Sequence, residues 1–181
     1  MLLAYDDYGP GPVVVLLHGF PLNRSLWKHQ VGTIGSQYRL ILPDLRGHGE
    51  SAAPEGVYTM DAMADDVLEL LDVLQLREPV VLGGLSMGGY VALALIERCP
   101  ERFRGLILMG TRADADSPET ARARAEMVAQ IEGAKDVRPV VDAMLPRLLS
   151  ATTRARRPEI VARVRSMMEK TLPRGVIGAL R

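Results

Sequence analysis

Four short stretches of the chain are apolar almost without interruption: PVVVLLH at 12–18, YRLILPD at 38–44, PVVLGGLS at 79–86 and FRGLILMG at 103–110. Runs of this length without a period of two predict strands buried on both faces. Between them the pattern changes to a helical repeat, and that alternation predicts a mostly parallel sheet flanked by helices, an α/β fold. The shorter LLAY at the start, followed by the turn signal YGPGP, predicts an antiparallel edge strand.

The helical segments can be placed by their stripes and caps. Thr59 is suited to cap a helix whose Met63, Val67, Leu70, Leu71 and Leu74 fall on one face, the face that would cover the sheet. A second helix, carrying Tyr90, Leu93 and Leu95, opens immediately after Ser86 and ends near Cys99-Pro100, where proline blocks continuation. From Arg112 onward no strand pattern recurs. Ser117-Pro118-Glu119 is a helix start, with serine to cap and proline suited to the first turn. Ala121, Ala125, Val128 and Ile131 give a weak stripe, and Ile160, Val164, Met167, Met168 and Thr171 a better one. Three or four helices are expected here. The organisation read from these patterns is an N-terminal α/β core over 1–112 and a helical cap over 113–181.

Composition narrows the class. A chain of 181 residues, 48% hydrophobic and 24% charged, can bury one sizeable core. Its formal net charge is zero, yet the two parts differ in sign: 8 Lys and Arg against 13 Asp and Glu up to Thr111, then 14 against 9. The basic RARR at 154–157 reads as a solvated helix entry, so no nucleic-acid partner is expected. The apolar stretches are too short to span a bilayer and no signal peptide precedes them. With the single Cys99 excluding an internal disulfide, the expectation is a cytoplasmic protein that does not engage membranes.

The chemistry concentrates at GGLSMGG, 83–89. Gly84-Leu85-Ser86-Met87-Gly88 follows a buried strand and opens a helix. A serine in such a sharp, strained turn needs small neighbours, and the turn lifts its hydroxyl clear of the sheet. The helix start then aims backbone N–H groups at the place where negative charge would develop. A second constellation, HGFPLNRSLW, follows the strand ending at His18. There Gly19 lets the loop fold over the sheet edge, so the Phe20 N–H can join that of Met87 as an oxyanion hole. The third is DLRGHGES at 44–51, a tight turn using glycine twice, in which His48 reads as a hydrogen-bonded turn residue. His29, on the first helix, is read the same way, and Cys99 as a small, partly buried residue at a helix end.

In this order and spacing the three elements resemble the α/β-hydrolase fold family. More narrowly they are similar to the group containing 3-oxoadipate enol-lactonases, cofactor-free chloroperoxidases and small carboxylesterases. The resemblance implies a serine hydrolase acting on a small ester, lactone or related acyl substrate, without metal or cofactor. It implies Ser86 as nucleophile, Phe20 and Met87 as oxyanion donors, and a pocket under the cap lined by Trp27, Met87 and methionines of the cap helices.

The pattern departs from the family in one respect. The family orders its triad as serine, acid, histidine, but all three histidines, His18, His29 and His48, precede Ser86. Asp114 and Asp116 follow the last strand, whereas the family's acid usually lies one strand further on. The family's ordinary use of His18 is to brace the oxyanion loop. By that comparison the chain ends within the cap, and a missing C-terminal segment, lost to a truncated gene, a fragment or a separate chain, would carry the base and the acid. The 181-residue chain alone is then expected to be nearly inactive. The rival reading is a non-catalytic hydrolase-fold protein that senses a ligand or binds a partner.

Overall fold

The computed structural model describes all residues 1–181. Five strands form one sheet: β1 (Tyr5–Tyr8), β2 (Val13–Leu17), β3 (Arg39–Pro43), β4 (Val80–Leu85) and β5 (Phe103–Met109), in the order β1-β3-β2-β4-β5. All neighbours run parallel except β1, which is antiparallel to β3. β4, which ends immediately before Ser86, therefore lies between β2 and β5.

Two layers of helix cover the sheet. On one face, Val15, Leu17 and Ile41 pack with Leu70 and Leu71 of α2 (Met60–Val73) and with Val91 and Leu95 of α3 (Met87–Arg98). On the other face Val14, Leu16, Leu40 and Leu42 pack against α1 (Lys28–Ile34) and the 3-10 turn before it. This division follows from strand geometry, since successive side chains point to opposite faces. The expected cap on α2 is present: the Thr59 hydroxyl accepts the Ala62 N–H at 3.1 Å, and Asp61 in the first turn complements the helix dipole.

Three expectations shift. The edge strand spans Tyr5–Tyr8, not residues 2–5, and reaches into the stretch read as a turn. Its polar Asp6 and Asp7 hide it from a hydrophobicity pattern, and Asp7 gains an ion pair with Arg39 at 2.7 Å. After Arg112 the chain forms five helices: α4 (Pro118–Ala134), α5 (Arg138–Leu148), α6 (Ala151–Arg156), α7 (Pro158–Glu169) and α8 (Pro173–Leu180). The last of them, α8, was not expected at all. Four prolines open helices in this region, at 118, 139, 158 and 173, where the missing N–H costs nothing.

These helices have a core of their own, built from Ile131, Val140, Val141, Leu145, Met167 and Met168. α8 joins it through Val176 and reaches the α/β core as well. Gly175 sits so close to Gly47 that an added Cβ would lie 2.0 Å from the Gly47 carbonyl oxygen, and the Tyr58 N–H donates to the Gly178 carbonyl at 2.8 Å. The two glycines let α8 dock on the α/β core. On the far side of the sheet, β5 pairs with β4 alone, and its Leu106, Ile107 and Leu108 are 37–46% exposed. No helix is long and apolar enough to cross a membrane.

Candidate active site

Ser86 stands between β4 and α3 with φ 51° and ψ −114°, a backbone conformation that side-chain-bearing residues rarely adopt. Its own backbone holds it there. The Ser86 N–H donates to the Met109 carbonyl at 2.9 Å, and its carbonyl accepts from the Gly89 N–H (2.8 Å), the Tyr90 N–H (3.2 Å) and the Thr111 hydroxyl (2.9 Å).

The surrounding glycines are required by close approach. A Cβ at Gly84 would lie 2.2 Å from the Gly88 carbonyl oxygen, and one at Gly88 would lie 2.4 Å from that of Leu17. Such distances are impossible for real atoms, so α3 can begin beside β2 only because both positions lack side chains. A Cβ at Gly19 would stand 3.4 Å from the Ser86 Cβ, which brings the HGF loop directly against the serine. As the first residue of α3, Met87 has an N–H that no carbonyl of the helix can accept.

Above this junction opens a cavity of about 950 Å³. Phe20, Ser86 and Met87 line it together, with Met127 of α4 and Met144 of α5. Trp27 does not line it. It ends the 3-10 turn Arg24–Trp27 and is buried at 5% exposure among Val14, Leu16, Leu40 and Leu42, on the face of the sheet covered by α1. The assignment of Trp27 to substrate binding is therefore corrected: the chain reverses between Phe20 and Trp27 and carries the indole away from α3. Three groups absent from the reading do line the cavity: Val57 to Met60, before and at the start of α2; Tyr90, one turn beyond Ser86; and Ala179 to Arg181 at the end of α8. Only Tyr90 had a signal, its spacing of four from the serine.

Asp114 and Asp116 also reach the cavity wall. Asp116 is committed to two guanidinium groups, accepting from Arg124 Nε at 2.6 Å and Arg112 Nη2 at 2.6 Å. Arg124 first, and then Arg112, hold its carboxyl below the usual range.

None of the histidines is placed to activate Ser86. His18 is fully buried and both its nitrogens are engaged: Nε2 accepts the Leu45 N–H at 2.9 Å and Nδ1 bonds the Gly19 carbonyl at 3.0 Å. Burial pushes its pKa down to about 4. His48, also fully buried, bonds the Arg46 carbonyl through Nδ1 at 2.9 Å in a turn where Gly47 and Gly49 both have positive φ. Burial, and then the neighbouring His18, push its pKa down to about 3. His29 lies on α1 and accepts from Arg163 Nη1 at 3.2 Å. No three His, Cys, Asp or Glu side chains come together as a metal site would need.

This arrangement recurs in known proteins. The alpha/beta hydrolase fold family matches residues 12–155. A solved esterase from Thermogutta terrifontis is 44% identical with a TM-score of 0.93, covering 98% of this chain and 65% of its own. The enol-lactonase from Burkholderia xenovorans is 33% identical with a TM-score of 0.88, over 97% of this chain and 67% of its own. The 3-oxoadipate enol-lactonase 2 of Acinetobacter baylyi is 34% identical over 128 residues, 70% of this chain and 48% of the relative. This chain thus spans about half the length of that curated relative.

Proposed function

The chain belongs to the α/β-hydrolase fold family, and we propose that it carries the nucleophile, the oxyanion site and the acyl cavity of a serine hydrolase for small esters or lactones. The observation that carries this reading is Ser86 itself, held at positive φ between strand and helix and facing a cavity shared with Phe20 and Met87. The esterase and enol-lactonase among its relatives support the ester or lactone class.

In this mechanism Ser86 Oγ adds to the acyl carbon and the carbonyl oxygen becomes an oxyanion, held by the amides of Phe20 and Met87. Collapse expels the alkoxide and leaves an acyl-serine, which water then hydrolyses. The serine proton must travel to the leaving group through a base. Because His18 is buried with both ring nitrogens bonded, His48 is buried with its Nδ1 on the Arg46 carbonyl, His29 lies on α1 bonded to Arg163, and none of the three lines the cavity at Ser86, the base and its acid are proposed to come from outside residues 1–181. That source would be a C-terminal segment of the same protein or a second chain.

The test compares three forms on a p-nitrophenyl ester: the 181-residue chain, the chain joined to or mixed with a family-like C-terminal segment, and each with Ser86→Ala. The chain alone should turn over barely above background, since removing the histidine of such a triad costs on the order of 10⁶ in turnover. The supplemented form should gain activity that Ser86→Ala removes. Rapid Ser86-dependent turnover by the chain alone would place the base within it and overturn this part. Ligand binding without Ser86-dependent turnover in any form would instead favour a non-catalytic ligand-binding protein, the reading that the uncommitted serine leaves open.

A further inference from the structure

Thr171 closes the apolar stripe that runs from Ile160 through Met167 and Met168, and it is as buried as they are, at 1% exposure. A hydroxyl in such a place needs a partner. It finds one 150 residues away: Thr171 Oγ1 donates to the Pro21 carbonyl at 3.2 Å, from the link between α7 and α8 into the loop beside Ser86. Pro21 is itself buried, and no other protein group donates to its carbonyl.

That carbonyl shares a planar trans peptide with the Leu22 N–H, and the two point in opposite directions. The Leu22 N–H in turn donates to the Gly19 carbonyl at 2.9 Å. Through the trans Gly19–Phe20 peptide, the Gly19 carbonyl is tied in the same way to the Phe20 N–H. Two peptide planes thus join a cap hydroxyl to the amide assigned to the oxyanion site. Their dipoles are aligned head to tail, so strengthening one bond strengthens the next. His18 Nδ1 reaches the Gly19 carbonyl from the core at 3.0 Å and holds only the first plane. The second is held by the cap, with the Leu22 side chain in the cap core and Asn23 Nδ2 donating to the Met167 carbonyl at 3.5 Å. The Phe20 N–H has no protein acceptor, and the loop stands against the serine, where a Cβ at Gly19 would lie 3.4 Å from that of Ser86.

We propose that Thr171 is a positioning residue of the oxyanion site: its hydroxyl fixes the Pro21–Leu22 peptide, which fixes the Gly19 carbonyl and with it the direction of the Phe20 N–H. This rests on the reading of Ser86 as nucleophile and Phe20 as oxyanion donor. It goes beyond that reading because it gives the cap a part in the chemical step through a residue that does not line the cavity. A threonine that only filled the cap core would act through its methyl, whereas the relay acts through its hydroxyl.

Two substitutions separate these groups. Thr171→Val keeps the shape and loses the donor, while Thr171→Ser keeps the donor and loses the methyl. The probe is n-butylboronic acid: Ser86 Oγ bonds to boron, the serine proton passes to water, and the tetrahedral anionic adduct places an oxygen in the oxyanion site. Its Kd is measured by calorimetry on the 181-residue chain. Loss of one oxyanion donor typically costs on the order of 10²-fold. Thr171→Val, which misaims that donor, is expected to weaken boronate binding by about tenfold to a hundredfold, and Thr171→Ser by less than about threefold. Equal effects in the two variants, or a greater loss in Thr171→Ser, would overturn the proposal. If Thr171→Val does not fold, ¹H NMR of the unaltered protein decides instead. On adding the boronate, downfield shifts of the Leu22 amide and Thr171 hydroxyl protons together with the Phe20 amide support the relay, and a Phe20 shift that the other two do not share refutes it. Failure of the underlying reading looks different: the unaltered chain would then bind no boronate, or Ser86→Ala would bind it as tightly.

Discussion

Acidification from pH 8 to pH 5 should destabilise this fold through two side chains, His18 and His48. Both are fully buried and neutral, with pKa values pushed down by burial to about 4 and about 3 from an ordinary 6.5. Above pH 6.5 they are neutral whether the chain is folded or not, and they contribute nothing to the pH dependence. Below 6.5 the unfolded chain takes up protons that the folded chain refuses, so stability falls as pH falls, until the folded values are reached. At pH 5 the difference is about 1.5 pH units per histidine, or about 2 kcal/mol each and about 4 kcal/mol together. Carboxylates change little above pH 5, because their ordinary pKa values lie near 4. Urea unfolding at the two pH values is the assay. With a slope of about 2 kcal/mol per molar, the midpoint should drop by about 2 M. His48→Asn, whose amide can still donate to the Arg46 carbonyl but does not titrate, should show about half that drop. A midpoint that moves by less than about 0.5 M in the unaltered protein, or an equal drop in His48→Asn, would refute the reasoning.

Three further outcomes are expected from packing. Gly88→Ala places a methyl 2.4 Å from the Leu17 carbonyl oxygen, against backbone that cannot yield, and should cost about 3 kcal/mol or prevent folding. Gly133→Ala, in α4 with nothing within 4 Å of the new methyl, should stabilise by up to about 1 kcal/mol in the same urea assay. Trp27→Phe should lower stability by about 1–2 kcal/mol while leaving KM for an ester unchanged in an active form, because Trp27 is core and not cavity. A raised KM would return the indole to the substrate site.

The parts of this fold legible in the sequence are those where one local rule decides. Apolar runs gave four strands to within a residue at each end, because their sequences are apolar nearly throughout, although only β2, β3 and β4 are largely buried and β5 leaves Leu106, Ile107 and Leu108 exposed, contrary to the expected burial on both faces. Thr59 and Ser117 could be read as caps because the hydroxyl and the N–H it accepts lie three residues apart. Ser86 was legible because few chemistries need glycine on both sides of a serine. What could not be read depends on contacts between distant segments. α8 is anchored by Gly175 on Gly47 and by Gly178 on Tyr58, pairs more than a hundred residues apart. Trp27 follows Phe20 by only seven residues, yet the 3-10 turn capped by Asn23 carries it to the other face of the sheet.

Phe20 joins these levels. Its backbone N–H belongs to the proposed oxyanion site, while its ring packs at once against the core beneath the sheet helices and against the separate core of α4, α5 and α7. The Gly19 carbonyl of that peptide bonds His18 and the Leu22 N–H, and the ring packs against two cores that α8 also joins, through Ala179 in one and Val176 in the other. Met167 and Met168 do not line the cavity, but they belong to the same core as Val140, which does. They nevertheless set the surface on which the Phe20 ring rests. Repacking the cap interior should therefore change more than the shape of the cavity. It should disturb the aim of one amide, and the bonds of His18 and of the Leu22 N–H to the Gly19 carbonyl are the restraints that oppose this.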